Sequence, residues 1–273
     1  MQFSKGMLMD IQPDHLSEFM VRATSGVSKP GLSREAKEFY GWSDEQIKHV
    51  IGLCSFRAEP KRIDYPFFYD RGLEDRAITF PFPRTQVYIK ENFLSENECQ
   101  ALIEEIDQRL VPSTVSDSKD MGTVSEYRTS SSADLNRFDN ELFSDLDIKI
   151  TNFMDLDPFL GEAVQGQKYE IGQHFKEHWD FFDRWAPHYK CYCEWMGQRT
   201  WTTMIYLNDV EKGGETVFRH LKLKVKPKQG TLLTWNNLYR NGRVNRKTLH
   251  EALPPESGEK YIVTKWWRSW PLI

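Results

Sequence analysis

His178 and Asp180 stand two residues apart in the stretch Y-E-I-G-Q-H-F-K-E-H-W-D-F-F-D, and on an extended strand the side chains at i and i+2 leave the same face. An imidazole and a carboxylate placed that way can grip one metal ion from one side. Two donors hold a metal loosely, and the chain supplies a third far downstream, His250 in T-L-H-E-A-L-P. Two histidines and one carboxylate on one face of a ferrous ion leave its other positions open, which is the donor set of oxygen-activating non-haem chemistry. The His-x-Asp pair alone is weak grounds. With 7 His and 40 acidic residues in 273, about one such pair is expected by chance. His15, His49, His174, His188 and His220 have no acid two places on; His174 is the nearest rival because it shares strand parity with His178.

Short strands must position these donors. Residues 199–207 alternate as a barrel strand, G-G-E-T-V-F-R turns into the next, and Leu221-x-Leu223-x-Val225 and the run 231–235 flank a P-K-Q-G turn. Such a series, with a few helices in front, predicts a mainly β fold with flanking helices (α+β) whose core is a double-stranded β-helix, or jelly roll. His178, Asp180 and His250 would lie at its open end. On the last strand Lys260, Ile262, Thr264 and Trp266 share a face, so an ammonium and an indole can both point inward.

Helices are expected over 14–21 and over 43–53, the latter opened by Ser43 with Gln46 at the capping-box position. In F-L-S-E-N-E-C, Ser95 caps and Glu98 completes the box of a helix whose stripe is Cys99, Leu102, Ile103, Ile106 and Leu110. Cys99 therefore belongs to the core rather than to a nucleophilic site. A further helix is expected over 140–154, with Leu142, Phe143, Leu146, Ile150 and Phe153 inward. The Ser-rich run 112–126 is aperiodic and reads as a long mobile loop, of the kind that is disordered or forms a lid. Residues 60–83, rich in Pro and aromatics, are expected across the outside of the core, and the aromatic connection 181–198 is expected to cover the site mouth or mediate self-association. Cys191 and Cys193 have no second pair to complete a structural zinc site.

Taken in order, G-Q-x-x-x-x-H-x-D, R-T-W-T-T-M-I-Y-L-N-D-V-E-K-G-G-E-T-V-F, P-K-Q-G-T-L-L-T-W and the distal His250 and Lys260 resemble, over about 85–270, the prolyl 4-hydroxylase branch of the iron(II)- and 2-oxoglutarate-dependent dioxygenases. The resemblance implies that His178, Asp180 and His250 hold Fe(II) and that Lys260, with the hydroxyls of Tyr169 and Thr216, binds 2-oxoglutarate. It implies O2 as oxidant, ascorbate as a reductant, and hydroxylation of prolyl residues at the 4-position in a peptide or protein, with release of succinate and CO2. Arg128, in the family-like R-T-S-S segment, Arg199 and Trp266 would line the substrate groove; for Arg128 a plain surface charge is the competing reading. The alternatives are the same oxygenase acting on a free amino acid or other small molecule, and a non-catalytic jelly-roll binding module. The chain departs from the family where Phe175 replaces a common Tyr, where Glu251-Ala252 follows the distal His, where Arg219 replaces a common Pro, and in the long basic run N-N-L-Y-R-N-G-R-V-N-R-K.

Composition bounds the rest. The length allows one catalytic domain, 81–273, preceded by a helical or irregular extension, 1–80. A net charge of −4 gives no overall basic surface for nucleic acid. No run of eighteen uncharged apolar residues points to a membrane, and no secretory or retention signal is evident. Four unevenly spaced cysteines fit a reducing, cytoplasmic setting, and nothing bears on the oligomeric state.

Overall fold

The computed structural model describes residues 71–113, 126–185, 189–193 and 196–269, with positions 37, 41–44, 46–47 and 69 before them. The helix expected over 14–21, most of 43–53 and most of the 112–126 loop lie outside the described residues. At the start of the second of these, Ser43 and Gln46 exchange both capping-box bonds, Gln46 N to Ser43 Oγ at 3.2 Å and Ser43 N to Gln46 Oε1 at 2.8 Å.

The strands are β1 (Ile78–Thr79), β2 (Val87–Lys90), β3 (Val111–Pro112), β4 (Ser131–Leu135), β5 (Val164–Tyr169), β6 (Phe175–His178), β7 (Arg199–Tyr206), β8 (Lys212–Gly213), β9 (Thr216–Phe218), β10 (Leu223–Val225), β11 (Leu232–Asn236), β12 (His250–Ala252), β13 (Pro255–Ser257) and β14 (Lys260–Arg268). They form an eight-stranded sheet in the order β1-β2-β11-β7-β14-β5-β4-β3 and a four-stranded sheet in the order β10-β9-β12-β6, with β13-β8 as a small ribbon. Every recorded pairing is antiparallel, and neighbours are mostly far apart in sequence. That is the jelly-roll arrangement.

Two layers of apolar packing flank the large sheet. On its outer face Trp201, Ile205, Val263 and Trp267 pack with Leu102 and Ile106 of helix α1 (Glu96–Asp107) and with Phe143, Leu146 and Ile150 of helix α2 (Glu141–Met154). On its inner face Tyr169, Met204, Tyr206 and Ile262 meet Phe218, Val225 and Trp235. Burying each such side chain contributes about 1.5–3 kcal/mol. Both helices start as the sequence dictates. Glu98 N donates to Ser95 Oγ while Ser95 N donates to Glu98 Oε2, and Phe143 N donates to Asn140 Oδ1. α1 can approach the sheet because Gly166 faces it: a Cβ there would lie 2.5 Å from Ile106 Cγ1. Cys99 is fully buried, and burial pushes its thiol up to about 11.

Two expectations are refined. β6 ends at His178, so Asp180 lies just beyond the ladder and not on it; pairing stops where Trp179 turns to donate its indole N–H to Arg246 O. Leu221 sits in a 3-10 turn, Arg219–Leu221, and the strand begins at Leu223. The 181–198 connection is divided: Phe181 and Phe182 are buried, whereas Trp185 is 81% exposed.

Candidate active site

The three donors meet because of strand register. His250 of β12 sits directly opposite His178 of β6, and directly opposed residues bring their side chains within contact. The ring centroids are 4.2 Å apart, and His250 Nε2 lies 3.8 Å from Asp180 Oδ2. One ligand atom from each of His178, Asp180 and His250 falls within 4.8 Å of the others.

The surroundings prepare these atoms for a cation. His178 Nδ1 lies 2.7 Å from Lys176 O, and His250 Nδ1 lies 2.9 Å from Thr248 O. A carbonyl can only accept, so in the neutral form of each ring the proton is on Nδ1 and Nε2 presents a lone pair. Burial and then the facing His250 pull His178 down to about 3, which keeps it neutral. Burial works against ionisation of Asp180, but the facing imidazoles, Arg199 and the Thr202 hydroxyl prevail, and its carboxyl is held below the usual range. Thr202 Oγ1 donates to Asp180 Oδ2 at 2.7 Å and accepts from Asn237 Nδ2 at 2.9 Å. Two neutral imidazoles and one oriented carboxylate are the donor set of a 2-His-1-carboxylate iron site.

Tyr169, Thr216, Lys260 and Trp266 line the same cavity as the three donors, together with Gln167, Thr202, Thr264 and Ile262. The inward parity of Lys260, Ile262, Thr264 and Trp266 read from the sequence is the one observed. Lys260 is opposite Tyr169 in the β14–β5 ladder, its Nζ 4.3 Å from the tyrosine ring centroid. The ammonium is fully buried and donates to one recorded acceptor, Gly214 O at 3.0 Å. Gly213 and Gly214 both have positive φ, 78° and 75°, a turn that glycine makes without strain and that aims this carbonyl at the lysine. Burial lowers Lys260 to about 7, against the opposing charge of Glu215. An amine with three donors and one acceptor, in a cavity that also holds a metal-type cluster, fits the far carboxylate of a bound keto acid. Thr216 Oγ1 accepts from Tyr206 at 2.7 Å, so its own proton is free to point elsewhere. The Tyr169 hydroxyl donates to Gln167 Oε1 at 2.9 Å.

Arg128 and Arg199 flank the cavity rather than line it. Arg128 is buried, with Nε 3.2 Å from Ser130 Oγ and a terminal nitrogen 3.0 Å from Gln165 Oε1. Its guanidinium lies 5.0 Å from the Phe175 ring, which itself stacks on His178 at 3.6 Å. It is not a surface charge. Both arms of Arg199 are taken by Glu162, Nε to Oε1 and Nη2 to Oε2 at 2.7 Å each, and its flat face lies 4.1 Å from the Trp266 ring. Arg268 Nε also reaches Glu162, at 2.6 Å. Burial disfavours the Glu162 carboxylate, but the two guanidiniums hold it down at about 2. Glu162 went unnoticed in the sequence because nothing local marks it. Gln167 and Thr202 carried a readable signal, strand parity with Tyr169 and with Met204 and Tyr206. His174 lies outside the cluster, its backbone N–H donating to Thr129 Oγ1 at 2.8 Å.

Comparison with known proteins places this geometry among relatives. Residues 164–268 match the family described as the 2OG-Fe(II) oxygenase superfamily. Two Arabidopsis thaliana proteins, probable prolyl 4-hydroxylases 7 and 6, are each 34% identical, over 214 and 205 residues, covering 71% and 67% of this chain and 66% and 68% of their own length. The chain thus spans about two thirds of these relatives. A solved structure of a viral collagen prolyl hydroxylase from Paramecium Bursaria Chlorella virus-1, in its 2OG complex, superposes with a TM-score of 0.52 at 29% identity, covering 67% of this chain and 95% of that one.

Proposed function

Because this chain belongs to the prolyl 4-hydroxylase family of iron(II)- and 2-oxoglutarate-dependent oxygenases, we propose that it hydroxylates prolyl residues of a peptide or protein at the 4-position, releasing succinate and CO2. The observation that carries this reading is one cavity containing both the three-donor cluster and a buried lysine without a carboxylate partner among the described residues.

Bound iron(II) and 2-oxoglutarate would supply the activation of O2 needed to oxidise an unactivated C–H bond. The chain's own residues position and protect. His178 and His250 are fixed by their carbonyl partners so that Nε2 alone is offered, and Thr202 fixes the Asp180 oxygen. Lys260 takes the distal carboxylate, a charge-assisted contact of about 1.5–3 kcal/mol, with the Thr216 and Tyr169 hydroxyls beside it. Phe175 packs on the His178 ring and contributes no hydroxyl to the substrate side. The buried Trp266 indole N–H has no partner among the described residues and lines the cavity, so it is available to a substrate carbonyl. Trp266 backed by Arg199 forms a flat platform suited to an extended, proline-rich chain.

Succinate formation measured with and without a proline-containing peptide tests the reading. Peptide-stimulated turnover with 4-hydroxyproline in the product is the expected result. Stimulation by free proline or another small molecule, with no response to peptides, would replace it with a small-molecule oxygenase.

A further inference from the structure

A second concavity, of about 1520 Å³, opens between the residues after the metal strand and the 239–247 connection. Pockets for small ligands run to about 300–1,000 Å³, so this groove is sized for a longer guest. It is lined by Arg84, Arg184, Arg240, Arg243, Arg246 and Lys247, all exposed. The one carboxylate among its described lining residues, Asp183, pairs with Arg246 at 2.8 Å. In a chain of net charge −4 this concentration of cations is a local field of opposite sign.

The groove adjoins the cavity across one layer of packed side chains. Phe182 lines the groove and lies 5.0 Å from the Arg199 guanidinium, which in turn lies 4.1 Å from the ring of Trp266 in the cavity wall. Trp179, between the two metal-strand donors, carries the Arg246 guanidinium at 5.3 Å and donates to Arg246 O at 3.0 Å. Trp185 is 81% exposed and lies under Arg184 at 5.0 Å. A guanidinium lying on an aromatic ring keeps its N–H edge for a carboxylate but covers the face on which a nucleobase would stack.

We propose that this groove receives an acidic segment flanking the target proline, so that the enzyme selects prolines by the negative charge of their neighbours. The inference rests on the peptidyl reading above.

Three peptides sharing one proline core, with flanks of Glu/Asp, Ser/Gln or Lys, test it by steady-state succinate formation. The acidic peptide should show a KM about tenfold below the Lys-flanked one with similar kcat, since a few rim ion pairs each contribute at most about fivefold. The preference should shrink at about 0.5 M salt and collapse in R243E/K247E, with R243Q/K247Q as the milder variant should the reversal fold poorly. Equal KM values for all three peptides overturn the groove assignment and leave the peptidyl reading standing. If no peptide stimulates succinate formation, the peptidyl reading falls, and fluorescence anisotropy of a labelled acidic peptide decides the groove separately: binding lost in R243E/K247E supports it, and absence of binding overturns it. Tighter binding of a single-stranded oligonucleotide than of the acidic peptide also overturns it.

Discussion

Lys260 and Lys265 leave the same strand in opposite directions, and both are buried. On the helix side, Lys265 has its counter-charge and a second acceptor: its ammonium bonds Asp147 of α2, which also pairs with Arg137 at 3.3 Å, and donates to Glu162 O at 2.8 Å. On the cavity side, Lys260 has one carbonyl and the face of Tyr169. The same residue type at the same depth therefore does two jobs. A buried cation with its counter-charge built in fastens a helix to a sheet, and one without it is a standing requirement for an anion from outside.

The sharpest way to break this comparison is to remove the built-in counter-charge. Asp147→Ala leaves Lys265 buried without its carboxylate and should cost about 3–5 kcal/mol in urea unfolding. Lys260→Met, measured the same way without ligands, should stay within about 1 kcal/mol of the parent or exceed it, because the replacement removes an unpaired buried charge of similar shape. Equal losses in the two variants would mean that the two lysines are energetically alike.

The second effect appears when cosubstrate is added. Lys260→Met should raise the KM for 2-oxoglutarate by about 10- to 150-fold, the loss of a charge-assisted contact of about 1.5–3 kcal/mol. Anaerobic iron binding, followed by equilibrium dialysis, should be nearly unchanged, and a KM within twofold of the parent would remove Lys260 from the cosubstrate site.

Protonation sharpens the contrast further. Burial lowers both ammonium groups, but Lys265 has the Asp147 carboxylate opposing it, whereas Lys260 has the charge of Glu215 alone and falls to about 7. From there up to the ordinary lysine value of about 10.4, the unfolded chain carries a proton that the folded chain lacks. Stability should therefore rise with pH through that window and carry the full penalty below it, a slope that Lys260→Met removes. Binding of a dianion recharges the amine, so cosubstrate should take up close to one proton at about pH 8 and almost none at about pH 6. Calorimetry in buffers of different ionisation heat reads this directly, and pH-independent uptake would contradict the assignment.

The smallest effect separates a neutral contact from the charged one. Thr216→Val removes the hydroxyl that Tyr206 bonds at 2.7 Å and should raise the KM for 2-oxoglutarate only about fivefold, the worth of one neutral hydrogen bond of about 1 kcal/mol. A loss as large as that of Lys260→Met would put the threonine, not the lysine, at the centre of recognition.

The cavity face was legible in the sequence wherever the signal was local. Strand parity puts Lys260, Ile262, Thr264 and Trp266 on one side without reference to the rest of the chain, and the capping box at Ser95 announces its helix in four residues. His178 and Asp180 share that advantage, although the ladder stops at His178, two residues short of Asp180. What the sequence hid depends on strands meeting. Glu162 holds Arg199 and Arg268 across the sheet, and Asp147 reaches Lys265 from a helix on its far side. No periodicity links such positions, because the contact is set by packing between elements and not by the geometry of either one. Arg128 is the same case: its sequence neighbours gave no sign that Ser130, Gln165 and Phe175 would enclose it.

The register that sets His250 against His178 also bears on how the protein is made. β6 and β12 are remote in sequence, so their pairing closes a long loop, the kind of contact whose entropy must be spent before anything is gained. Local elements such as α1 can form without it, but the three-donor cluster cannot. An ion held by these three donors would find its full ligand set only on chains that have closed this loop, and by mass action it would draw the folding equilibrium toward them. Iron bound at this cluster would therefore add to the stability of the whole fold as well as serve the site.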